Sequence, residues 1–144
     1  MKISNKSKRV IKYLVIHCTA TKDGYPFSAS DIDRWHKAKG WNGIGYNYVI
    51  DLKGNIELGR DVNLVPAQVE GYNANAIGIV YVGGLDANMK PKDTRNKAQK
   101  ESLLSLLENL KKLYPNAEIL GHRDFPKVNK ACPCFDAKKE YKNL

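Results

Sequence analysis

Apolar residues in this chain come in short dense blocks set apart by polar, glycine-bearing stretches, and the period of the blocks changes along the sequence. Residues 11–16 (IKYLVI) form a β-rich apolar run, the pattern of a buried central strand. The run delivers His17 at its carboxyl end, where ligand sites in open α/β sheets gather. Alternation along a strand turns Cys18 away from His17 and into packing. Ser28 or Ser30 caps a helix reaching to about Lys39, with Asp31 and Asp33 in its first turn and Gly40 as its stop. Ile32, Trp35, His36 and Lys39 share a face of that helix, and His36 reads as structural.

Residues 46–52 (YNYVIDL) make a second strand, paired with residues 55–58 through the Lys53–Gly54 turn. Residues 61–75 show no clean period and read as a long surface connection, a kind of loop that is often functional. Residues 76–82 (AIGIVYV) are another apolar strand, ended by Gly83 and Gly84. Thr94 caps the longest helix, on which Leu103, Leu106, Leu107, Leu110 and Leu113 form one core-facing stripe. Pro115 stops that helix, and residues 117–120 (AEIL) are a final short strand running into His122. The first and last strands thus each end within a residue or two of a histidine. As neighbours in one sheet, they would bring both imidazoles to the same edge.

These elements describe a single mixed α/β domain over residues 1–144, long enough to bury roughly 70% of its unfolded surface. No apolar run approaches the roughly 18 residues of a membrane span, so no membrane insertion is expected. The amino-terminal segment begins basic, but its apolar run is short and ends in a histidine. It reads as a strand and not a signal peptide, which places synthesis in the cytoplasm. Three cysteines, an odd number with two of them close together, argue against a disulfide framework. The formal charge of +9 implies attraction to an anionic partner, either nucleic acid or anionic bacterial wall polymer. The lysines are spread along the chain with no dense block or nucleic-acid motif, so a solvated basic surface accounts for them equally well and no nucleic acid is expected.

Candidate chemistry concentrates in residues 121–136 (GHRDFPKVNKACPCFD), which hold His122, Lys130, Cys132 and Cys134. Imidazole and thiolate are zinc ligands, and a catalytic zinc takes three protein ligands with a fourth position open. Taken alone, His17 reads as a structural histidine. Beside His122 and Cys132 it becomes a candidate for the third ligand.

Four blocks extend this reading: IHCTATKDG, WHKAKGWNGIGYNYVI, GYNANAIGIVYVGGLD, and HRD followed by KACPCFD. Together they resemble the zinc-dependent N-acetylmuramoyl-L-alanine amidases, the family of phage T7-type lysozyme and the peptidoglycan recognition proteins. The resemblance covers residues 13–136 in order. It implies a central mixed β-sheet flanked by α-helices, with a zinc cleft open to a glycan–peptide substrate. It also implies Zn2+ on His17, His122 and Cys132, with Tyr46 and Lys130 catalytic and Gln68 and Asn73 binding substrate. Lys130 would stabilise an oxyanion, and Tyr46 would position water or carry a proton. The substrate implied is peptidoglycan, cut between N-acetylmuramic acid and L-alanine by a monomeric endolysin acting on the wall after release.

Three departures from the family pattern stand out. The His122–Cys132 interval is longer than in the phage lysozyme, so its loop must bulge. Gln68 stands where relatives often carry histidine, and Cys134 where they often carry serine. Two rival functions share the residues: a peptidoglycan-binding module without hydrolysis, against which Cys132 argues, and a cysteine peptidase built on Cys132.

Overall fold

The computed structural model describes residues 3–144, so the first two residues of the expected domain lie outside the described ones. In chain order its strands are β1 (Tyr13–Cys18), β2 (Thr21–Lys22), β3 (Tyr48–Ile50), β4 (Ile56–Leu58), β5 (Ala76–Tyr81), β6 (Gly84–Leu85) and β7 (Glu118–Gly121). Its helices are α1 (Ala29–Ala38), α2 (Lys97–Leu113) and α3 (Ala137–Glu140). The main sheet has the order β4-β3-β5-β1-β7, with β4 antiparallel to β3 and every other pairing parallel. This is the expected mixed α/β fold. Among the described residues, no helix is long and apolar enough to cross a membrane.

Strand alternation sorts the apolar runs onto two faces. Leu14, Ile16, Ile50, Ile77 and Ile79 point toward α2, whose Leu103, Leu106, Leu107 and Leu110 are fully buried against them. Val49 and Val80 point the other way, where α1 covers them with Ile32. Cys18 joins the α2 side, so the expected division between Cys18 and His17 holds. Parallel register sets His17 opposite Val80 and Val15 opposite Gly78 on the remaining face.

Ser28 caps α1 through a capping box with Asp31: its hydroxyl accepts from the Asp31 N–H, and its own N–H donates to the Asp31 carboxylate. The expected cap of α2 was Thr94, and here the structure differs. Asn96 is the cap, accepting from the Gln99 N–H at 2.8 Å while Gln99 Oε1 accepts from the Asn96 N–H. Thr94 is used elsewhere, its Oγ1 accepting from the Gly84 N–H at 2.8 Å. The strand expected over residues 46–52 is also shorter, regular only over Tyr48–Ile50, and the Asn47 side chain reinforces the backbone bonds at its entrance. Asn47 Oδ1 accepts from the Gly78 N–H and its Nδ2 donates to the Arg60 carbonyl.

The segment that follows the last strand is anchored from three sides. Phe125 packs edge-on to Tyr13 and tilted against Tyr72, pinning the loop that leaves His122. Tyr81 donates its hydroxyl to the Pro133 carbonyl at 2.6 Å. Arg95, almost fully buried, pairs with Asp93 and Glu140, donates to the Tyr141 hydroxyl, and lies 3.3 Å from the centre of the Phe135 ring.

Replacing Asn96 with alanine should lower stability by about 1 kcal/mol, the usual value of a helix cap. Urea unfolding measures it, and an unchanged midpoint would contradict the assignment of the cap to Asn96.

Candidate metal centre

Two neighbouring parallel strands end together. β1 carries His17 in its last turn of the ladder, and β7 ends at Gly121, directly before His122. The two imidazole rings lie 4.5 Å apart, centre to centre. A short 3-10 turn (His122–Asp124) starts the return, held by Asp124 Oδ2 accepting from the Gly121 N–H at 2.8 Å. The chain comes back so that Arg123 N donates to the Cys132 carbonyl at 2.9 Å. Cys132 Sγ then lies 3.8 Å from His17 Nδ1 and accepts from the Cys18 N–H at 3.2 Å. One donor atom from each of His17, His122 and Cys132 falls within 4.8 Å of the other two, and this is the one such cluster among the described residues.

Burial sets the protonation of these groups. His17, with 1% of its surface exposed, has its pKa pushed down to about 3, mainly by desolvation and then by its neighbour His122. His122 is lowered too, by desolvation and then by the charge of Lys130. Both rings are therefore neutral near pH 7, the form that ligates metal. Cys132 is also held below the ordinary thiol range. A side-chain hydrogen bond with Cys18 contributes most, the Cys18 N–H adds to it, and Lys130 adds a smaller pull.

Tyr46 and Lys130 border the cluster. The Tyr46 ring lies 4.9 Å from that of His17, and burial raises its pKa so that it stays a neutral phenol. Its backbone is fixed from behind. His36 Nδ1 accepts from the Gly45 N–H at 2.8 Å, and its ring lies 4.5 Å from Trp41 and 5.5 Å from Tyr46. His36 is structural, as expected. Gly45 has no room for a side chain, since a Cβ there would meet the Ala67 carbonyl oxygen at 2.3 Å. Lys130 is exposed at the rim, and its charge reaches His17, His122 and Cys132.

The two residues expected to bind substrate are both engaged inside the protein. Gln68 Oε1 lies 2.6 Å from His17 Nε2, and Asn73 Oδ1 accepts from the N–H groups of Gln68 and Val69. The contact between Gln68 and His17 was not foreseen, because residues 61–75 carry no periodic signal. Cys134 stays out of the donor set. It sits 3.8 Å from Cys18 Sγ and donates to the Gly84 carbonyl, and all three cysteines are free thiols.

The fold and the site together define a class: a small α/β domain with a His–His–Cys cluster, able to hold a metal, at the carboxyl ends of its central parallel strands. The model of the N-acetylmuramoyl-L-alanine amidase family matches residues 7–135, and the chain belongs to that family. The endolysin of Klebsiella phage KP32 is 37% identical over 138 residues, spanning 96% of this chain and 90% of that protein. The endolysin of Escherichia phage T7 is 36% identical with the same coverage. Among solved structures, the amidase LysC from Clostridium intestinale superposes with a TM-score of 0.75 at 26% identity, covering 97% of this chain and 90% of that one.

Metal-free protein should lose stability as the pH falls below about 6.5. The unfolded chain takes up a proton on the residue-17 imidazole near pH 6.5, whereas the folded state refuses it until about pH 3. Stability is thus complete above that range and is lost progressively through it as the pH falls. Urea midpoints between pH 7.5 and 4.5 should drop, and the slope should flatten in His17→Gln; a flat profile in the parent protein would contradict the burial argument.

Proposed function

We propose that this chain cleaves peptidoglycan as a zinc amidase, holding the ion on His17, His122 and Cys132 and working with Lys130 and Tyr46. The activity follows from the family: the chain is an N-acetylmuramoyl-L-alanine amidase of the phage endolysin kind. The bond cut joins the lactyl carbonyl of N-acetylmuramic acid to the nitrogen of L-alanine. The observation that carries the zinc reading is the geometry and chemistry of the donor set. Tetrahedral zinc, with bonds of about 2.0 Å to nitrogen and 2.3 Å to sulfur, separates neighbouring N and S ligands by roughly 3.5 Å. His17 Nδ1 and Cys132 Sγ lie 3.8 Å apart, close to that spacing. Two neutral imidazoles and a thiol of lowered pKa are the ligand states zinc requires.

Zinc in such a site supplies Lewis acidity and a nucleophile at neutral pH. The side chains supply the rest. Hydrolysis joins the oxygen of water to the carbonyl carbon, breaks the C–N bond, and sends the amine away with a proton. Negative charge builds on the carbonyl oxygen, and the Lys130 ammonium at the rim stabilises it. Tyr46, kept as a phenol by burial, has a proton to donate; it orients the water and relays a proton toward the departing nitrogen. Asn73 keeps its Nδ2 free of the loop bonds made by Oδ1, which suits it to meet the stem peptide, while the Gln68 amide oxygen faces His17. The working unit is a monomer of one domain, made in the cytoplasm and acting on the wall once released, where its positive charge favours an anionic surface.

Protein purified without chelator should carry close to one equivalent of zinc, and Cys132→Ser should abolish it. Chelation should stop the release of free amino groups from purified cell wall, and added zinc should restore it. A protein active without metal, or one inhibited only by thiol alkylation, would favour the cysteine peptidase instead. Lys130→Ala and Tyr46→Phe should each lower turnover by about 100-fold or more with zinc still bound. Unchanged turnover in either would remove that residue from the mechanism.

A further inference from the structure

We propose that Gln68 is a positioning residue that selects the tautomer of His17, and that Gly78 is the gap in the sheet that admits it. The inference rests on the metal reading for its purpose, but not for its geometry. A neutral imidazole carries one N–H, and an amide oxygen only accepts. With Gln68 Oε1 at 2.6 Å from His17 Nε2, the proton sits on Nε2 and the Nδ1 lone pair faces Cys132 Sγ. The opposite amide orientation would aim an NH2 at Nε2, move the ring proton to Nδ1, and close the ring to a metal. The other groups packed on this imidazole, Tyr46 and His122, meet it as rings at 4.9 and 4.5 Å.

Two further observations show how the Gln68 side chain is placed against His17. Gln68 Nε2 is buried without a hydrogen-bond partner. The contact of Oε1 with His17 is thus the hydrogen bond that the buried amide makes. The side chain also reaches His17 by lying across β5 at Gly78, where an added Cβ would come 2.5 Å from Oε1 and 2.8 Å from Cδ. The loop that carries Gln68 is itself fastened. Asn73 Oδ1 accepts from the Gln68 and Val69 N–H groups, and Arg9 donates to the carbonyls of Asn73, Ala74 and Ala76. Partners of this kind orient a ligating histidine and raise its basicity, and their loss typically weakens metal binding by about 10- to 100-fold.

The orphaned donor makes the prediction specific. Gln68→Glu keeps the acceptor and gives up no bond that Gln68 makes, whereas Gln68→Met keeps the bulk and loses the acceptor. The test uses chelator-treated protein with 15N-labelled histidine, read by NMR, followed by zinc titration against a competing chelator. The parent protein and Gln68→Glu should show His17 protonated at Nε2 only, with equal or tighter zinc binding in the glutamate form. Gln68→Met should show mixed tautomers and zinc affinity lower by about 10- to 100-fold. Gly78→Ala should reproduce the methionine variant, with little further loss when the two are combined. Should Gly78→Ala not fold, the two Gln68 variants decide the matter alone. An unchanged tautomer and affinity in Gln68→Met, or equal losses in Gln68→Met and Gln68→Glu, would overturn the proposal. If the parent shows the Nε2 tautomer yet takes up no zinc, the metal reading fails and the role of Gln68 in setting the tautomer stands.

Discussion

β1 is paired in parallel on both sides, with β5 along its whole length and with β7 over four residues, and this pairing decides where the chemistry can be. Parallel strands end at a common edge, so the residues at the end of β1 and just past the end of β7 meet without any further device. His17 and His122 are separated by about a hundred residues of chain, yet both occupy that edge. The third donor needs a loop that returns, and the return is fixed by bonds at Gly121, Arg123 and Pro133 and by the buried Phe125 and Phe135. A shift of one residue in β1 would turn His17 to the α2 face and put Cys18 in its place.

Burial does the second part of the work. The same desolvation that keeps the two imidazoles neutral keeps Tyr46 a phenol, while hydrogen bonds from Cys18 favour the charged form of Cys132. The two histidines and Cys132 are thereby biased toward the forms that ligate metal. Lys130 stays at the exposed rim, outside this dry cluster, where a cation carries little desolvation cost.

Much of this was legible in the residues. The apolar runs marked the strands of the sheet, the leucine stripe marked α2, and the pairing of histidines with strand ends brought His17 and His122 to one edge. The failures share a cause: choices between locally equivalent options that only tertiary contacts decide. Thr94 and Asn96 are both good caps, and Thr94 lost because its hydroxyl was already satisfied by Gly84. The strand after Gly45 is regular only over Tyr48–Ile50, and at its entrance the Asn47 side chain adds bonds to Gly78 and Arg60 beside the backbone ones. Gln68 meets His17 across 51 residues through an aperiodic loop, and no period or motif around either residue marks that meeting.

The central claim is that one ion is shared by His17, His122 and Cys132, and zinc-edge X-ray absorption on protein purified without chelator tests it most directly. The account predicts a first shell with one sulfur at about 2.3 Å and imidazole nitrogens at about 2.0 Å, the sulfur vanishing in Cys132→Ser. A shell of nitrogen and oxygen alone in the parent protein, or a sulfur that survives that substitution, would contradict it.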